Sequence, residues 1–306
     1  MKIGFIGLGA MGRPMAASLL AAGHALRVHD ARREAAAPLI EAGAAWGADA
    51  AEVAQDAAIV FTSLPGPAEV EAVASGNRGL LETMARGSIW IDLSTNSPGV
   101  VRRLHGECAA RGIGFLDAPV SGGPGGAQTR KLALWVGGDA AIYANCEPVL
   151  KAIGDQPFYV GPIGAGTVAK LVHNCASFAA QTALAEAFTL GVKAGVEPLA
   201  LLRAVRQGAF GRKRPFDRLV EQFLPGSYDP PAFALRLARK DLALALELGR
   251  AHGVPMQISE LVLRDIDQAL GRGWGERDSR ISMTLQEERA GVSVRVAPER
   301  LKGALD

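Results

Sequence analysis

The sequence predicts a doubly wound α/β domain built on a parallel sheet, followed by an all-α domain carried on a long connecting helix. Three observations predict it. Short apolar runs alternate with Ala-rich helical stretches through the first half of the chain, the pattern of stacked βα units. That rhythm then breaks at a Gly/Pro cluster, Gly161-Pro162-Ile163-Gly164-Ala165-Gly166. Beyond it, Thr167 to about Ala194 contains no Pro and a single Gly, Gly191, which predicts a helix of some 28 residues. At ~1.5 Å rise per residue it would be about 40 Å long.

Taken in order, the candidate strands are Ile3 to Ile6, Leu26 to His29, Ile59 to Ser63, Ile89 to Leu93, Ile113 to Leu116, Leu132 to Val136 and Pro157 to Val160. Helical stretches such as Met15 to Ala22 and Val100 to Ala110 lie between them. The long helix is apolar over much of its circumference and is expected to be buried on several sides. Later helical segments run from Pro198 to Gln207, Phe216 to Phe223, Ala232 to Gly249 and Gln257 to Gly271, and no convincing strand follows Val160. The expected domains are 1–162 and 163–306, with the polar tail after Gln286 peripheral.

Composition sets the class. The 306 residues are roughly two domains' worth of chain, 49% apolar but only 6% aromatic, with 37 glycines. Lys+Arg 33 against Asp+Glu 31 leaves a formal charge of +2, so no strong overall field recruits nucleic acid or an anionic membrane. Only eight of the 33 cationic residues are lysines, which makes each lysine worth locating. Cys108, Cys146 and Cys175 are odd in number and far apart, giving neither a disulfide framework nor a metal-ligand spacing. The tryptophans and histidines form no metal-like cluster, so no metal is expected. Met1-Lys2-Ile3 runs directly into a glycine turn without a signal-peptide core, and Leu171 to Ala185 is interrupted by His173, Asn174, Ser177, Gln181 and Thr182. The expectation is a soluble cytoplasmic protein with no nucleic-acid or membrane partner.

Gly7-Leu8-Gly9-Ala10-Met11-Gly12 matches G-x-G-x-x-G, and its context gives the match weight. A strand leads into it, an Ala/Leu-rich helix leaves it and ends at Gly23, and a second strand delivers Asp30 eighteen residues after Gly12. In such a turn Gly7 permits the tight bend, Gly9 lets backbone approach a pyrophosphate, and Gly12 allows close helix–strand packing. The helix N-terminus then offers free N–H groups to the anion. A carboxylate at Asp30 suits the adenosine ribose and repels a 2′-phosphate, which favours NAD over NADP. Arg32 and Arg33 follow closely and keep NADP possible.

Lys170 and Asn174, spaced i, i+4, project from one face of the long helix near its start. A lysine one turn into an otherwise uncharged helical stretch is costly unless it is solvated, paired or used. Asn174 can equally be a buried amide satisfied by backbone. Ser121-Gly122-Gly123 follows a strand and suits a small anion-binding nest for a carboxylate, although it also reads as a plain loop. Thr95 and the turn at Leu64-Pro65 lie at strand ends, where a doubly wound sheet binds its ligand.

Several blocks together resemble the β-hydroxyacid dehydrogenase family, the group that includes 3-hydroxyisobutyrate dehydrogenase and tartronate semialdehyde reductase. They are Gly4 to Gly12, Asp92-Leu93-Ser94-Thr95-Asn96-Ser97-Pro98, Asp117-Ala118-Pro119-Val120-Ser121-Gly122-Gly123, Gly164-Ala165-Gly166 with Lys170 and Asn174, and Lys240-Asp241-Leu242. The blocks stand in the family's order and span about 240 residues. The resemblance implies a Rossmann-type fold and hydride transfer between NAD(H) and a small 3-hydroxy acid or its semialdehyde. It makes Lys170 the general acid/base and gives Asn174 a role in holding the substrate and orienting the lysine. It also places Leu64, Pro65, Thr95 and Lys240 near the nicotinamide half of the cofactor, with Ser121, Gly122 and Gly123 on the substrate carboxylate. An ion pair around Asp241 is the alternative for Lys240. A homodimer or homotetramer is also implied.

Two departures bear on the substrate. Arg130-Lys131 stands where the family commonly has Gly and then Thr or another small residue. The pair can recognise a second anionic group or be a solvated surface pair. His173 stands where many members have Asn, a local string more like the decarboxylating 6-phosphogluconate dehydrogenase. That enzyme's acidic residue three places after the Asn is here Ser177, and the chain is much shorter than its usual form. The basic stretch Phe210-Gly211-Arg212-Lys213-Arg214-Pro215-Phe216 sits where relatives place substrate-contacting residues. A decarboxylating sugar-acid dehydrogenase and a non-catalytic dinucleotide-binding sensor remain the competing readings. Imine-reducing relatives are a further one, but they typically replace the lysine.

Overall fold

The computed structural model describes residues 1–212 and 214–303. Lys213 of the basic stretch therefore lies outside the described residues. The chain falls into two compact units, Met1–Ala176 and Ser177–Asp306.

In the first unit the elements are β1 (Lys2–Ile6), α1 (Gly12–Ala21), β2 (Ala25–His29), α2 (Ala37–Glu41), β3 (Ala45–Trp46), α3 (Ala50–Ala54), β4 (Ile59–Thr62), α4 (Pro67–Ser75), β5 (Ile89–Asp92), α5 (Pro98–Ala110), β6 (Gly114–Asp117), β7 (Val120–Ser121), α6 (Gly123–Thr129), β8 (Ala133–Gly137), α7 (Ala140–Leu150) and β9 (Gln156–Gly161). The long helix α8 (Ala165–Lys193) begins here and continues into the second unit. Strands run in the order β3, β2, β1, β4, β5, β6, β8, with β7 and β9 also paired to β8. The order reverses between β1 and β4, so the turns after these two strands flank the point where open α/β sheets bind ligands. Those turns are the glycine motif and Leu64-Pro65.

All seven expected strands are present within a residue or two. The two-residue strands β3 and β7 escape a pattern search because nothing alternates over so short a span. The expected parallel sheet is corrected at one edge: β8 runs antiparallel to β6 and β7. The physical reason is the connection. A parallel return needs a crossover of about a dozen residues or more, and the seven residues of α6 fold back as a broad hairpin instead.

Alternation along the strands divides the core between the sheet's two faces. Phe5, Met15, Leu19, Val28, Phe61 and Leu116 pack on one side. Ile6, Val53, Val60, Trp90, Leu104 and Phe115 fill the other, where Trp90 and Phe115 stack with ring centroids 4.3 Å apart. Burial pushes the Cys108 thiol up to about 12 and Cys146 to about 11, so neither ionises near neutral pH.

The second unit continues α8 and adds α9 (Pro198–Arg206), α10 (Ala209–Arg212), α11 (Leu235–Ala251), α12 (Gln257–Gly271) and α13 (Thr284–Ala290). The expected helix at Phe216 to Phe223 is a 3₁₀ segment, Phe216–Val220. Tyr228, Leu235, Ile266, Ala269, Ile281 and Leu285 form its main core. Here too there is no strand among the described residues, only an isolated bridge between Ala234 and Asp278. The polar tail is more anchored than expected: Arg295 pairs with Glu287 at 2.6 Å and the Val296 N–H donates to the Leu224 carbonyl at 2.8 Å.

One expectation fails. The long helix is not buried on several sides, for Val168, Leu171, Val172, Phe178 and Leu184 are all exposed in the single chain. An apolar circumference promises burial only where other elements reach it, and on this helix they reach its two ends, where Gly166 and Thr167 are buried at one and Leu190 packs with Leu246 and Met256 at the other. Among the described residues no helix is long and apolar enough to cross a membrane.

Candidate active site

The glycine turn is built as its spacing predicts. Gly7 has φ +94°, and a Cβ there would lie 2.3 Å from the Ser63 carbonyl oxygen, so glycine is required. A Cβ on Gly12 would lie 1.9 Å from the Gly7 oxygen, which is how closely α1 packs on the turn. Gly9 by contrast is exposed and faces open space, leaving room for another molecule's backbone-close approach. No side chain caps the N-terminus of α1. The Asp30 carboxylate locks the turn to the end of β2, accepting from the Leu8 N–H at 2.7 Å and the Arg32 N–H at 2.8 Å. Arg33 lies over the Trp46 ring instead, 5.7 Å from its centroid.

Two aspartates that face each other in register close the ends of β5 and β6. Asp92 is buried and accepts from Thr62 Oγ1 at 2.8 Å, the Ser94 N–H at 3.1 Å and Asn96 Nδ2 at 3.0 Å. Ser94 Oγ in turn accepts from the Leu64 N–H at 2.9 Å. One carboxylate thus fixes both the Leu64-Pro65 turn and the loop that leaves Thr95 exposed between buried Ser94 and Asn96. Burial pushes the Asp92 carboxyl upward, opposed by its donors.

Asp117 does the same for the long helix. Its two oxygens accept from the Gly164 N–H at 2.8 Å and the Thr167 N–H at 2.6 Å, serving the orphan donors of the first turn of α8. Burial pushes this carboxyl up as well, against those hydrogen bonds. The joint has no spare volume, since a Cβ on Gly166 would lie 2.1 Å from the Trp135 oxygen.

Lys170 follows three residues after Thr167. It is half-buried, and burial holds its ammonium below the ordinary lysine range. Its Nζ lies over the indole of Trp135, 5.9 Å from the ring centroid. His173, on the next turn, sits 5.0 Å from the same ring, and its Nε2 is 3.4 Å from Ser121 Oγ. Asn174 is half-buried one turn beyond Lys170. Ser121 pairs with Ala133 across β7 and β8, while Gly122 (φ +137°) and Gly123 (φ +63°) stand exposed beside it. The structure therefore gathers Lys170, His173 and Ser121 around Trp135.

Other expected residues have different surroundings. Arg130 caps α6 in the left-handed region at φ +58°, and Arg130 and Lys131 are both exposed. Lys131 contributes its backbone to the loop, its carbonyl standing 3.2 Å from where a Cβ of Gly122 would be. Lys240 belongs to the second unit, and its Nζ lies 3.1 Å from Asp241. Trp135 and the roles of Asp92 and Asp117 escaped sequence reasoning. The aspartates carried a signal, an acid closing each of two apolar strands, whereas nothing marks Trp135 before the helix is packed on β8. Among the described residues no three His, Cys, Asp or Glu side chains group to hold a metal.

A glycine turn at the switch point of an open α/β sheet is the arrangement of a dinucleotide-binding protein. Residues 2–161 match the family model for the NAD binding domain of 6-phosphogluconate dehydrogenase, and 164–285 match that for the NAD-binding part of NADP-dependent 3-hydroxyisobutyrate dehydrogenase. The chain is 35% identical over 294 residues to 2-(hydroxymethyl)glutarate dehydrogenase of Eubacterium barkeri, covering 96% of this chain and 97% of that one. It is 39% identical over 254 residues to 3-hydroxyisobutyrate dehydrogenase of Pseudomonas aeruginosa, covering 81% and 85%. The solved Mycobacterium tuberculosis 3-hydroxyisobutyrate dehydrogenase with L-serine superposes with a TM-score of 0.65 at 30% identity, covering 93% of this chain and 98% of that one. The chain belongs to the β-hydroxyacid dehydrogenase family, enzymes dependent on NAD(P).

The residues present fit the dinucleotide. The open space over Gly9 and the uncapped start of α1 suit a pyrophosphate, and a Cβ on Gly12 has nowhere to go. Gly12→Ala is accordingly expected to weaken binding of the reduced dinucleotide by at least about tenfold, roughly 1.4 kcal/mol, in a fluorescence titration. Binding as tight as that of the unaltered protein would show that the turn tolerates the methyl group.

Proposed function

We propose that this chain transfers a hydride between NAD(H) and a small 3-hydroxy acid or its semialdehyde, with Lys170 as the general acid/base. The observation that carries the reading is the setting of Lys170: half-buried, held over the Trp135 face that His173, the partner of Ser121, also lies against, and paired with no carboxylate among the described residues. The bound nicotinamide supplies the hydride acceptor or donor. Ser121 and the backbone N–H groups of Gly122 and Gly123 hold the substrate carboxylate, and Asn174 steadies the substrate hydroxyl against the lysine. In oxidation the neutral Lys170 amine accepts the hydroxyl proton; in reduction its ammonium returns a proton to the carbonyl oxygen. Leu64, Pro65 and Thr95 border the nicotinamide half.

Burial moves Lys170 in the direction a base needs, because it disfavours the ammonium. The sign follows: oxidation rises with pH as the amine loses its proton and levels off below the ordinary lysine value, while reduction falls through the same midpoint. Steady-state pH profiles in both directions check this, and an oxidative profile still climbing past pH 10.5 would sink it.

NAD is favoured by Asp30, whose fixed carboxylate repels a 2′-phosphate and accepts from ribose hydroxyls. NADH is expected to bind at least about tenfold tighter than NADPH, a difference of roughly 1.4 kcal/mol. Paired titrations returning the opposite order would remove the assignment. The substrate is sought by following nicotinamide absorbance across hydroxy acids and semialdehydes, including members with a second carboxylate, since one relative is a 2-(hydroxymethyl)glutarate dehydrogenase. Carbon dioxide release would favour decarboxylating chemistry, and silence across the panel would favour a dinucleotide-binding sensor.

A further inference from the structure

We propose that Trp135 is a positioning residue for Lys170: its indole, on the outward face of β8, is the surface that fixes the lysine's ammonium relative to the Ser121 loop. The inference rests on the general acid/base reading of Lys170 but is tested independently of turnover.

The strand pattern presents the ring. Leu132, Leu134 and Val136 are buried, whereas Ala133 and Trp135 alternate with them on the face that α8 covers. Lys170 Nζ lies 5.9 Å from the indole centroid, inside the ~6 Å within which a ring face attracts a cation. The His173 ring lies 5.0 Å from that centroid, tilted by 46°. Trp135 thus lies beside both Lys170 and His173 of the helix. Through the pairing of Ala133 with Ser121, the same strand carries the loop on which the substrate carboxylate is placed. The span from carboxylate loop to ammonium is therefore set through one rigid ring.

A lysine needs such a support. Its four-carbon stem has many rotamers, and no carboxylate pairs with it among the described residues. The groups facing it are the His173 imidazole from its own helix, the Trp135 ring from β8, and, through His173, the Ser121 hydroxyl from β7. Of these only the indole carries a fixed face of negative potential, and it sits where burial alone would expel the charge.

The test compares Trp135→Leu with Trp135→Phe, which keeps a weaker aromatic face. Trp135→Leu is expected to lower kcat at least tenfold while KM and NADH affinity stay within twofold; Trp135→Phe is expected to lose no more than about threefold. A second readout needs no turnover: the rate of Lys170 acetylation by acetic anhydride against pH, followed by peptide mass spectrometry. Its midpoint is expected to fall by half a unit or more in Trp135→Leu and by less in Trp135→Phe, because the face that favours the ammonium is lost. An unchanged midpoint and kcat in Trp135→Leu would overturn the proposal. So would equal damage in both variants, which marks a packing role alone. Should Lys170→Ala retain turnover while the acetylation midpoint shifts as stated, the contact stands and the acid/base reading falls.

Discussion

Lys170→Ala is expected to lower kcat by about three orders of magnitude in either direction while leaving NADH affinity within twofold. General acid/base groups contribute about 10²- to 10⁴-fold, and a loss of about three orders of magnitude lies within that range. The dinucleotide turn is built from Gly7 to Gly12 and Asp30, none of which leans on Lys170, so binding should survive. Lys170→Arg sharpens the result. It keeps the cation and can still lie on Trp135, but a guanidinium does not give up its proton in the working range, so turnover should remain lost. Stopped-flow and steady-state measurements on both variants decide it. Turnover within tenfold of the unaltered protein in Lys170→Ala would remove the residue from the chemistry.

Asp117→Ala is expected to destabilise the first unit by about 3–5 kcal/mol. Two buried N–H donors, of Gly164 and Thr167, would be left without an acceptor, and each such loss costs about 1–3 kcal/mol, more toward a charged partner. The helix start is packed closely on the strands, since a Cβ on Gly166 would clash with the Trp135 and Asp117 carbonyls, which leaves little room for it to slide toward other acceptors. Thermal unfolding followed by circular dichroism should show the melt lowered by on the order of 10 °C. Asp117→Asn, which keeps an acceptor oxygen but turns a donor toward a donor, should fall between. Lys170 stands one turn beyond the pinned N–H groups, so kcat should fall in both variants at temperatures where they remain folded. A melt within about 2 °C of the unaltered protein in Asp117→Ala would show that water replaces the carboxylate without cost.

Much of this was legible in the sequence where the signal is local. The glycine turn, Asp30 at the end of the next strand, and the long helix with Lys170 and Asn174 on one face follow from spacing and backbone sterics. They act within one or two elements, and a linear pattern carries them. The short strands β3 and β7 and the antiparallel edge at β8 were not legible, because pairing direction depends on a connection whose fold is decided by what it packs against. The expected burial of the long helix failed for a related reason. Phe178 and Leu184 advertise a partner, but the pattern does not say where in the fold one stands.

By itself the sequence determined the dinucleotide turn and the βα rhythm that sets the fold class, because each is written in residues that are neighbours along the chain or a few elements apart, and it offered Lys170 as a candidate through the family resemblance. Only the tertiary structure decided what surrounds that lysine. Asp117 lies 50 residues from the Thr167 N–H it holds, and Trp135 and Ser121 reach the helix from other strands. Their contacts are set by strand register and by the closeness that Gly166 allows, and neither quantity exists until β6, β7, β8 and the helix are packed together.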